Sequence, residues 1–200
     1  MGDSEAEALV NQCFQRSIEV PAQFFEANAD EVSRVCHAMA QRFHRGGRLI
    51  AFGNGAFATD AQHVSVEFVH PVVMGKRALP ALALTNDSAL LSGMAVGNVG
   101  GMPFVRQLKV LARKDDMAMG FSADGNCANV VEALSAARQM GVLTIGMTGG
   151  DGGMMAKAEL DACFVVPSDE PHLIQESHET LYHILWELVH IFFEHEGLLR

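Results

Sequence analysis

Residues 48–67 read RLIAFGNGAFATDAQHVSVE and decide the fold of this chain. The apolar run 49–52 is typical of a short parallel strand that is covered on both faces. Gly53 and Gly55 then give the backbone freedom to turn and let a ligand come close to the main chain. A helix follows the turn, and its free N–H groups favour an anion. The stretch therefore predicts a strand, a ligand-binding turn and a helix.

The helix after this turn carries two reactive side chains on one face. His63 and Glu67 stand four residues apart, a spacing that aligns them along the helix. Such a pair also occurs on ordinary helix surfaces, where both side chains are simply solvated. The glycine turn directly before the helix favours a functional role for the pair in this chain.

The composition predicts a single globular domain that spans residues 1–200. The chain is 49% hydrophobic and 19% charged, with a formal net charge of -10. This acidic balance argues against nucleic acid as the main partner, because phosphate backbones are bound by clusters of Lys and Arg. No apolar run approaches the roughly 20 residues that a membrane span requires. We therefore expect neither a nucleic acid nor a membrane as partner.

The cysteines and the N-terminal sequence predict a soluble, cytoplasmic protein. The four cysteines form no C-x-x-C pair and lie far apart, at Cys13, Cys36, Cys127 and Cys163. Such spacing is expected of reduced thiols rather than of a disulfide framework or a zinc ribbon. The N-terminus MGDSEAE is acidic where a signal peptide would be basic.

Residues 1–46 are predicted to form two helices that precede an α/β core of residues 47–200. The first helix has a break or kink near Pro21, and the second ends at Gly46. The cap-forming residues 28–30 predict the junction between them. Helices outside an alternating core often contact a partner subunit, so we expect oligomer contacts here. An equal alternative is that these helices cover the sheet of their own chain.

Strands and helices alternate through the rest of the chain. Apolar runs predict five strands, at 49–52, 81–85, 117–121, 142–147 and 161–166. A glycine-rich break is predicted at 97–101, and the last helix should run from Pro171 to about Glu196. This alternation predicts a three-layer α/β sandwich, in which helices cover both faces of a five-stranded parallel sheet.

Three turns of the predicted fold fall at the carboxyl edge of the sheet, where parallel α/β sheets bind their ligands. They are residues 53–59, 122–127 and 148–153, and each carries glycine or hydroxyl residues. We expect the three turns to converge on one pocket. Glycines that merely allow the chain to turn would explain the same composition.

Short motifs in these turns and in the last helix carry a resemblance to a known family. They are Gly53-Asn54-Gly55, Asp60-Ala61-Gln62-His63 with Glu67, Ser122 with Gly125-Asn126, Thr148-Gly149 with Asp151, and Ile174-Gln175-Glu176 with His178 and His183. In their order and spacing the chain resembles the sugar isomerase (SIS) domain family, and within it the phosphoheptose isomerases. The similarity covers nearly the whole chain and implies the flavodoxin-like SIS fold.

The resemblance implies an aldose–ketose isomerase that moves a proton between C1 and C2 of a seven-carbon ketose phosphate through an enediol. It also implies a homotetramer with active sites at subunit interfaces and one zinc ion per subunit. The ligands of the zinc ion would be His63, Glu67, Gln175 and His183. Glu67 would be the general base and His183 the general acid, since both types can titrate near neutral pH when partly buried.

Spacing alone would select a different pair on the last helix. Glu179 and His183 are four residues apart, whereas Gln175 and His183 are two turns apart and less well aligned. Gln175 is therefore assigned by the resemblance only. The expected substrate-binding residues are Gly53, Asn54, Gly55, Ser122, Asp124, Gly125, Asn126, Thr148 and Gln175.

The chain departs from the family pattern where the resemblance expects a phosphate to bind. Phe57 replaces a serine of the first turn, and Ala123, Asp124 and Cys127 replace hydroxyl residues of the second. A carboxylate at Asp124 would repel a phosphate at close range. Either Ser122 and backbone N–H groups still hold a phosphate, or the ligand is different.

Two other functions therefore stay open. One is a non-catalytic SIS module that senses a sugar phosphate or binds a replication initiator. Such relatives tend to lose the Glu and His that this chain keeps. The other is an isomerase of a different sugar, whose far end carries no phosphate.

Overall fold

A five-stranded parallel sheet forms the centre of the protein. The computed structural model describes residues 3–96 and 102–199. The strands in this part of the chain are β1 (Leu49–Gly53), β2 (Ala81–Ala83), β3 (Met117–Phe121), β4 (Leu143–Gly149) and β5 (Ala162–Val166). They lie in the order β2-β1-β3-β4-β5, and all neighbours are parallel. The predicted sheet is thus confirmed.

Helices cover both faces of the sheet. They are α1 (Asp3–His44), α2 (Ala56–Val69), α3 (Ser88–Val96), α4 (Pro103–Leu111), α5 (Ala128–Gln139), α6 (Gly153–Lys157) and α7 (Pro171–Glu194), followed by the 3-10 turn Glu196–Leu199. Buried side chains of α1, α2 and α7 form one core with the sheet, and those of α4 to α6 form the other. The predicted three-layer sandwich is confirmed.

The central strands are buried because their residues alternate between the two cores. In β1, Leu49 and Ala51 belong to the core with α1, α2 and α7, whereas Ile50 and Phe52 belong to the opposite core. The strands β1, β3 and β4 are buried along their whole length. A strand covered on both faces needs a continuous apolar run, and this is why the sequence pattern predicts the strands well.

The N-terminal region is one helix, and the prediction of two is wrong. Helix α1 runs for 42 residues and contains Pro21. A proline removes one main-chain hydrogen bond, and α1 continues through this loss. The cap-forming side chain of Asn28 donates to the Phe24 carbonyl at 2.7 Å inside the helix. Residues 28–30 are therefore part of the helix and not a junction.

Helix α1 has a buried half and an exposed half. From Phe24 to Phe43 its apolar residues pack into the core with α2 and α7. In the first half, four large apolar side chains are exposed: Leu9, Val10, Phe14 and Ile18. An exposed apolar stripe agrees with subunit contacts by residues 1–46, which stay a prediction.

The remaining differences from the predicted elements are small. Strand β2 ends at Ala83, and β4 extends to Gly149. Helix α6 is missing from the predicted elements, because it has only five residues and begins at Gly153, within the predicted third turn. The predicted glycine-rich break at 97–101 lies outside the described residues. None of the described helices is long and apolar enough to cross a membrane.

The strand order reverses at β1, which places a candidate site there. The chain passes from β1 to β2 on one side and later enters β3 on the other. In such sheets, ligands bind beyond the carboxyl ends of the strands at this switch point. The fold therefore directs attention to the ends of β1 and β3 and to the helices α2 and α5 that follow them.

Candidate active site

Helices α2 and α7 lie side by side and run in the same direction. Their hydrogen bonds follow the order of both sequences: Gln175 with Asp60 at 3.1 Å, Tyr182 with His63 at 2.8 Å, and Trp186 with the main-chain carbonyl of Glu67 at 2.9 Å. This register sets the face of α2 that carries His63 and Glu67 against the face of α7 that carries His183.

His63, Glu67 and His183 form a cluster of candidate metal ligands. One ligand atom of each residue lies within 4.8 Å of those of the other two. His63 Nε2 is 3.3 Å from Glu67 Oε1, and the rings of His63 and His183 are 5.2 Å apart, edge to face. Two imidazoles and a carboxylate are donors that zinc and similar ions prefer. The side chains present therefore fit a metal centre.

The cluster opens into a surface cleft of about 570 Å³. This volume is typical of a small-molecule site, for which the range is roughly 300–1,000 Å³. Besides the cluster, the lining includes Glu179, Trp186 and Glu187 of α7, together with residues 72–73 and Lys76 after α2. Glutamates outnumber the single lysine around the cleft, so its field favours a cation.

Gln175 lies apart from this cluster within a single chain. It precedes His183 by two helical turns, which is roughly 12 Å along the helix axis. Its amide nitrogen donates at 3.1 Å to the Ala56 carbonyl, the Thr59 hydroxyl and Asp60 Oδ2. The role of Gln175 as a metal and substrate ligand stays a prediction.

Asp60 is a buried carboxyl group one turn before His63 on α2. The residue is 3% exposed. Burial raises the pKa of Asp60 to about 7, with the hydrogen bond from Gln175 opposing the shift and the charge of Glu179 adding to it. Asp60 can therefore exchange a proton near neutral pH. The predicted site residues omit Asp60, although its place three residues before His63 puts both on one side of the helix.

The three predicted turns adjoin at the carboxyl edge of the sheet. The side-chain amides of Asn54 and Asn129 exchange two hydrogen bonds, at 2.8 and 3.0 Å, and so join the first turn to the start of α5. Gly125 has a φ of +71°, and a Cβ there would lie 2.0 Å from the Gly152 oxygen. Only glycine lets the second and third turns pack this closely.

Within a single chain, the three turns do not line the cleft at His63. Gly53 is buried at the end of β1, and Gly55 is exposed with a φ of +57°. The residues that line the cleft at His63 come from α2, α7 and the segment after α2, not from the three turns. The convergence of the three turns on the pocket that holds this cluster therefore stays a prediction.

The second turn is closed by its own polar groups. Ser122 Oγ accepts the Gly125 N–H at 3.1 Å, and Asp124 Oδ1 accepts the Asn126 N–H at 3.0 Å. The hydrogen bonds from Asn126 lower the pKa of Asp124, so its exposed carboxylate is charged at neutral pH. A negative charge thus stands in the turn where the family resemblance implies a phosphate.

Comparison with known proteins decides the family. The profile of the SIS domain matches residues 12–149. The chain belongs to the SIS domain family.

Relatives of this SIS domain are similar over nearly its whole length. The phosphoheptose isomerase of Nitratidesulfovibrio vulgaris (strain Miyazaki F) is 44% identical over 175 residues, which are 86% of this chain and 83% of that protein. The phosphoheptose isomerase of Thermodesulfovibrio yellowstonii is 36% identical over 185 residues, 92% of each. The structure of phosphoheptose isomerase from Neisseria gonorrhoeae superposes with a TM-score of 0.82 at 33% identity, covering 92% of this chain and 98% of that one. The predicted family and the predicted aldose–ketose isomerase type are confirmed.

Phe57 of this SIS domain belongs to the core rather than to an open pocket. The residue is 6% exposed, and its ring lies edge-on, 5.9 Å from that of His178. His178 Nε2 donates to the Thr148 carbonyl at 3.2 Å. Neither His178 Nδ1 nor the Thr148 hydroxyl has a hydrogen-bond partner in the described part of the chain. Thr148 is fully buried, and the position where the family pattern has a serine holds a buried phenyl ring in this chain.

We expect His178 to make the stability of the SIS domain depend on pH. Burial lowers the pKa of His178 from 6.5 to about 4, and the hydrogen bond to Thr148 only partly opposes this. Between these values the unfolded chain binds a proton that the folded chain does not. The free energy of unfolding therefore falls as the pH falls from 6.5 to 4, with about 3 kcal/mol due to this residue. Urea unfolding of His178→Gln should show a correspondingly flatter pH dependence.

His172→Gln is the matched control for this measurement, because His172 is an exposed histidine on the same helix. Its free energy of unfolding should follow the wild type across the same pH range. A constant difference in unfolding free energy between wild type and His178→Gln from pH 7 to pH 4 would contradict a neutral, buried imidazole.

Proposed function

We propose that this SIS domain is a metal-assisted aldose–ketose isomerase that converts sedoheptulose 7-phosphate to a heptose 7-phosphate. The observation that carries the proposal is the cluster of His63, Glu67 and His183 at an open cleft of suitable size. A carboxylate and an imidazole within reach of one ligand can move protons between adjacent carbons and oxygens. The names of the relatives, phosphoheptose isomerase, support the same substrate class.

The proposed metal is one zinc ion per subunit. His63, Glu67 and His183 would hold it, with Gln175 as the proposed fourth ligand. The donor types suit zinc, and the glutamates around the cleft favour a cation. When bound, the ion would polarise the carbonyl group of the sugar and stabilise negative charge on its oxygen.

Glu67 is the proposed general base. Its side chain is 16% exposed, so the carboxylate is partly shielded from water. Trp186 donates a hydrogen bond to the main-chain carbonyl of Glu67, which fixes this part of α2 against α7. It would take a proton from C1 of the ketose and return one to C2 through the enediol. His183 would act as the general acid and move the proton between the two sugar oxygens. The net result is an isomerisation with no proton gained or lost.

We also propose a homotetramer with active sites at subunit interfaces. Two observations support this assembly. The first half of α1 exposes an apolar stripe that includes Val10 and Phe14. The cleft at His63 is open and no residue of the three turns lines it, so a neighbouring subunit can supply the second part of a composite site.

An isomerase of a sugar without a far-end phosphate is the second candidate function. It is favoured by the charged carboxylate of Asp124 in the second turn and by the buried ring of Phe57 in the first. A non-catalytic sensor or initiator-binding module is less well supported, because Glu67 and His183 are both present and close together.

The test is incubation of the purified protein with sedoheptulose 7-phosphate, with and without added Zn²⁺. An aldose phosphate should form, and its rate should depend on zinc. Free sedoheptulose in a parallel reaction separates the first candidate from the second. Zinc-loaded protein that turns over neither sugar, but shows a thermal shift with one of them, would instead support a binding module.

A further inference from the structure

The two ring nitrogens of His63 have different neighbours. Nε2 lies 3.3 Å from Glu67 Oε1, on the side of the ligand cluster. Nδ1 lies 2.8 Å from the Tyr182 hydroxyl and 3.5 Å from Glu179 Oε1. Two residues of α7 outside the predicted ligand set thus contact the nitrogen that would not bind a metal ion.

Tyr182 is the single tyrosine of the sequence, and its surroundings fix it in place. It is 1% exposed. Its ring meets the rings of His63 and His183 edge to face, at 5.3 and 5.1 Å, and that of Phe121 at 6.3 Å. A phenylalanine could make the same ring contacts. The tyrosine adds one hydroxyl group, and that hydroxyl is bonded to His63.

The proton on a neutral imidazole decides which nitrogen can bind a metal ion. If Nε2 of His63 is the ligand, Nδ1 must carry the proton, and its N–H group needs a hydrogen-bond acceptor. A hydroxyl oxygen can accept a hydrogen bond from Nδ1–H, and the hydroxyl can instead donate to Nδ1 when the imidazole proton is on Nε2 and faces Glu67. Tyr182 can therefore satisfy Nδ1 in both tautomers without any change in charge.

We propose that Tyr182 is a positioning residue that holds His63 with Nε2 available to a metal ion, and that Glu179 is a second acceptor for the Nδ1–H group. The inference rests on the proposed function in taking His63 as a metal ligand. Hydrogen-bond partners of this kind fix the orientation of a ligating histidine and raise its basicity.

Tyr182→Phe should weaken Zn²⁺ binding by about 10–100-fold, the usual effect of removing the outer partner of a ligating histidine. The dissociation constant is measured on the full chain by competition with a chromophoric chelator. The kcat should fall at limiting zinc and recover at excess zinc. The visible absorption of the Co²⁺-loaded protein should also change, which a purely structural role of the hydroxyl would not cause.

Glu179→Gln and Glu187→Gln form a matched pair of control variants. Each removes one carboxylate from the lining of the cleft, and of the two only Glu179 lies beside His63. Glu179→Gln should therefore weaken zinc binding more than Glu187→Gln does. If Tyr182→Phe fails to fold, this pair still tests whether a partner on the Nδ1 side of His63 supports zinc binding.

The outcomes separate this inference from the proposed function. Equal zinc affinity in Tyr182→Phe and wild type would overturn the positioning role of Tyr182, and equal losses in the two glutamine variants would overturn the role of Glu179. Either result leaves the metal centre intact. A wild-type chain that binds no zinc would overturn the metal centre together with the inference.

Discussion

Replacing Glu67 by glutamine is expected to lower kcat by about 10²–10⁴-fold, the usual contribution of a general acid or base. Glutamine has the shape of glutamate but no basic oxygen. Trp186 donates to the main-chain carbonyl of residue 67, so the variant keeps this contact and the register of α2 with α7. The measurement is kcat at saturating Zn²⁺ with whichever ketose the wild type turns over, phosphorylated or free.

Two controls make the result specific to the chemistry of Glu67. Because Glu67 is also a proposed zinc ligand, the metal content of each variant has to be measured with its kcat. Glu187→Gln removes a carboxylate from the same cleft, and its kcat should fall much less. A zinc-loaded Glu67→Gln enzyme that keeps more than about a tenth of the wild-type kcat would contradict the role of base.

The fold can be predicted from the sequence as far as each element is decided by its own residues. The apolar run 117–121 is buried on both faces, and β3 has the same bounds. The continuity of α1 is different. Pro21 and Asn28 both indicate helix ends, but packing of the second half of α1 on α7 and the sheet favours one helix. Where local sequence preferences and tertiary packing disagree, tertiary packing decides the structure.

The candidate site can be predicted only within one helix. The spacing of His63 and Glu67 places them on one face of α2 whatever the rest of the chain does. The role of Tyr182 cannot be predicted from residue spacing, because its hydrogen-bond partner His63 is on another helix. The register of α2 with α7 exists only in the folded protein. His183 can be assigned from the resemblance, because the family pattern already reflects which residues of the two helices lie together.

The metal-ligand cluster of the candidate site follows the family pattern, whereas the second turn departs from it. The cluster retains two imidazoles and a carboxylate at distances that suit a metal ion. The second turn instead holds the charged carboxylate of Asp124, bonded to the N–H of Asn126. An uncharged substrate would tolerate this group, whereas a phosphate bound at the turn would be repelled. The charge of Asp124 is therefore the feature that separates the two candidate substrates.

Asp124→Asn is expected to lower the KM for sedoheptulose 7-phosphate by about tenfold or more. Two unit charges 5 Å apart repel by roughly 1 kcal/mol in water and roughly 3 kcal/mol at an effective dielectric constant of 20, and tenfold in affinity is about 1.4 kcal/mol. Asparagine keeps the Oδ1 acceptor for the Asn126 N–H, so the turn should stay closed. The KM for free sedoheptulose should change little. Steady-state kinetics with both sugars is the measurement.

Asp151→Asn is the matched control, because Asp151 Oδ1 accepts the N–H of Gly153 in the same way, two residues ahead, in the neighbouring turn. A fall in KM confined to Asp124→Asn and to the phosphorylated sugar would place the phosphate at the second turn. If wild type prefers the free sugar and Asp124→Asn reverses the preference, the carboxylate selects against phosphate and the second candidate function is supported. Unchanged KM values for both sugars would show that the far end of the substrate binds away from Asp124.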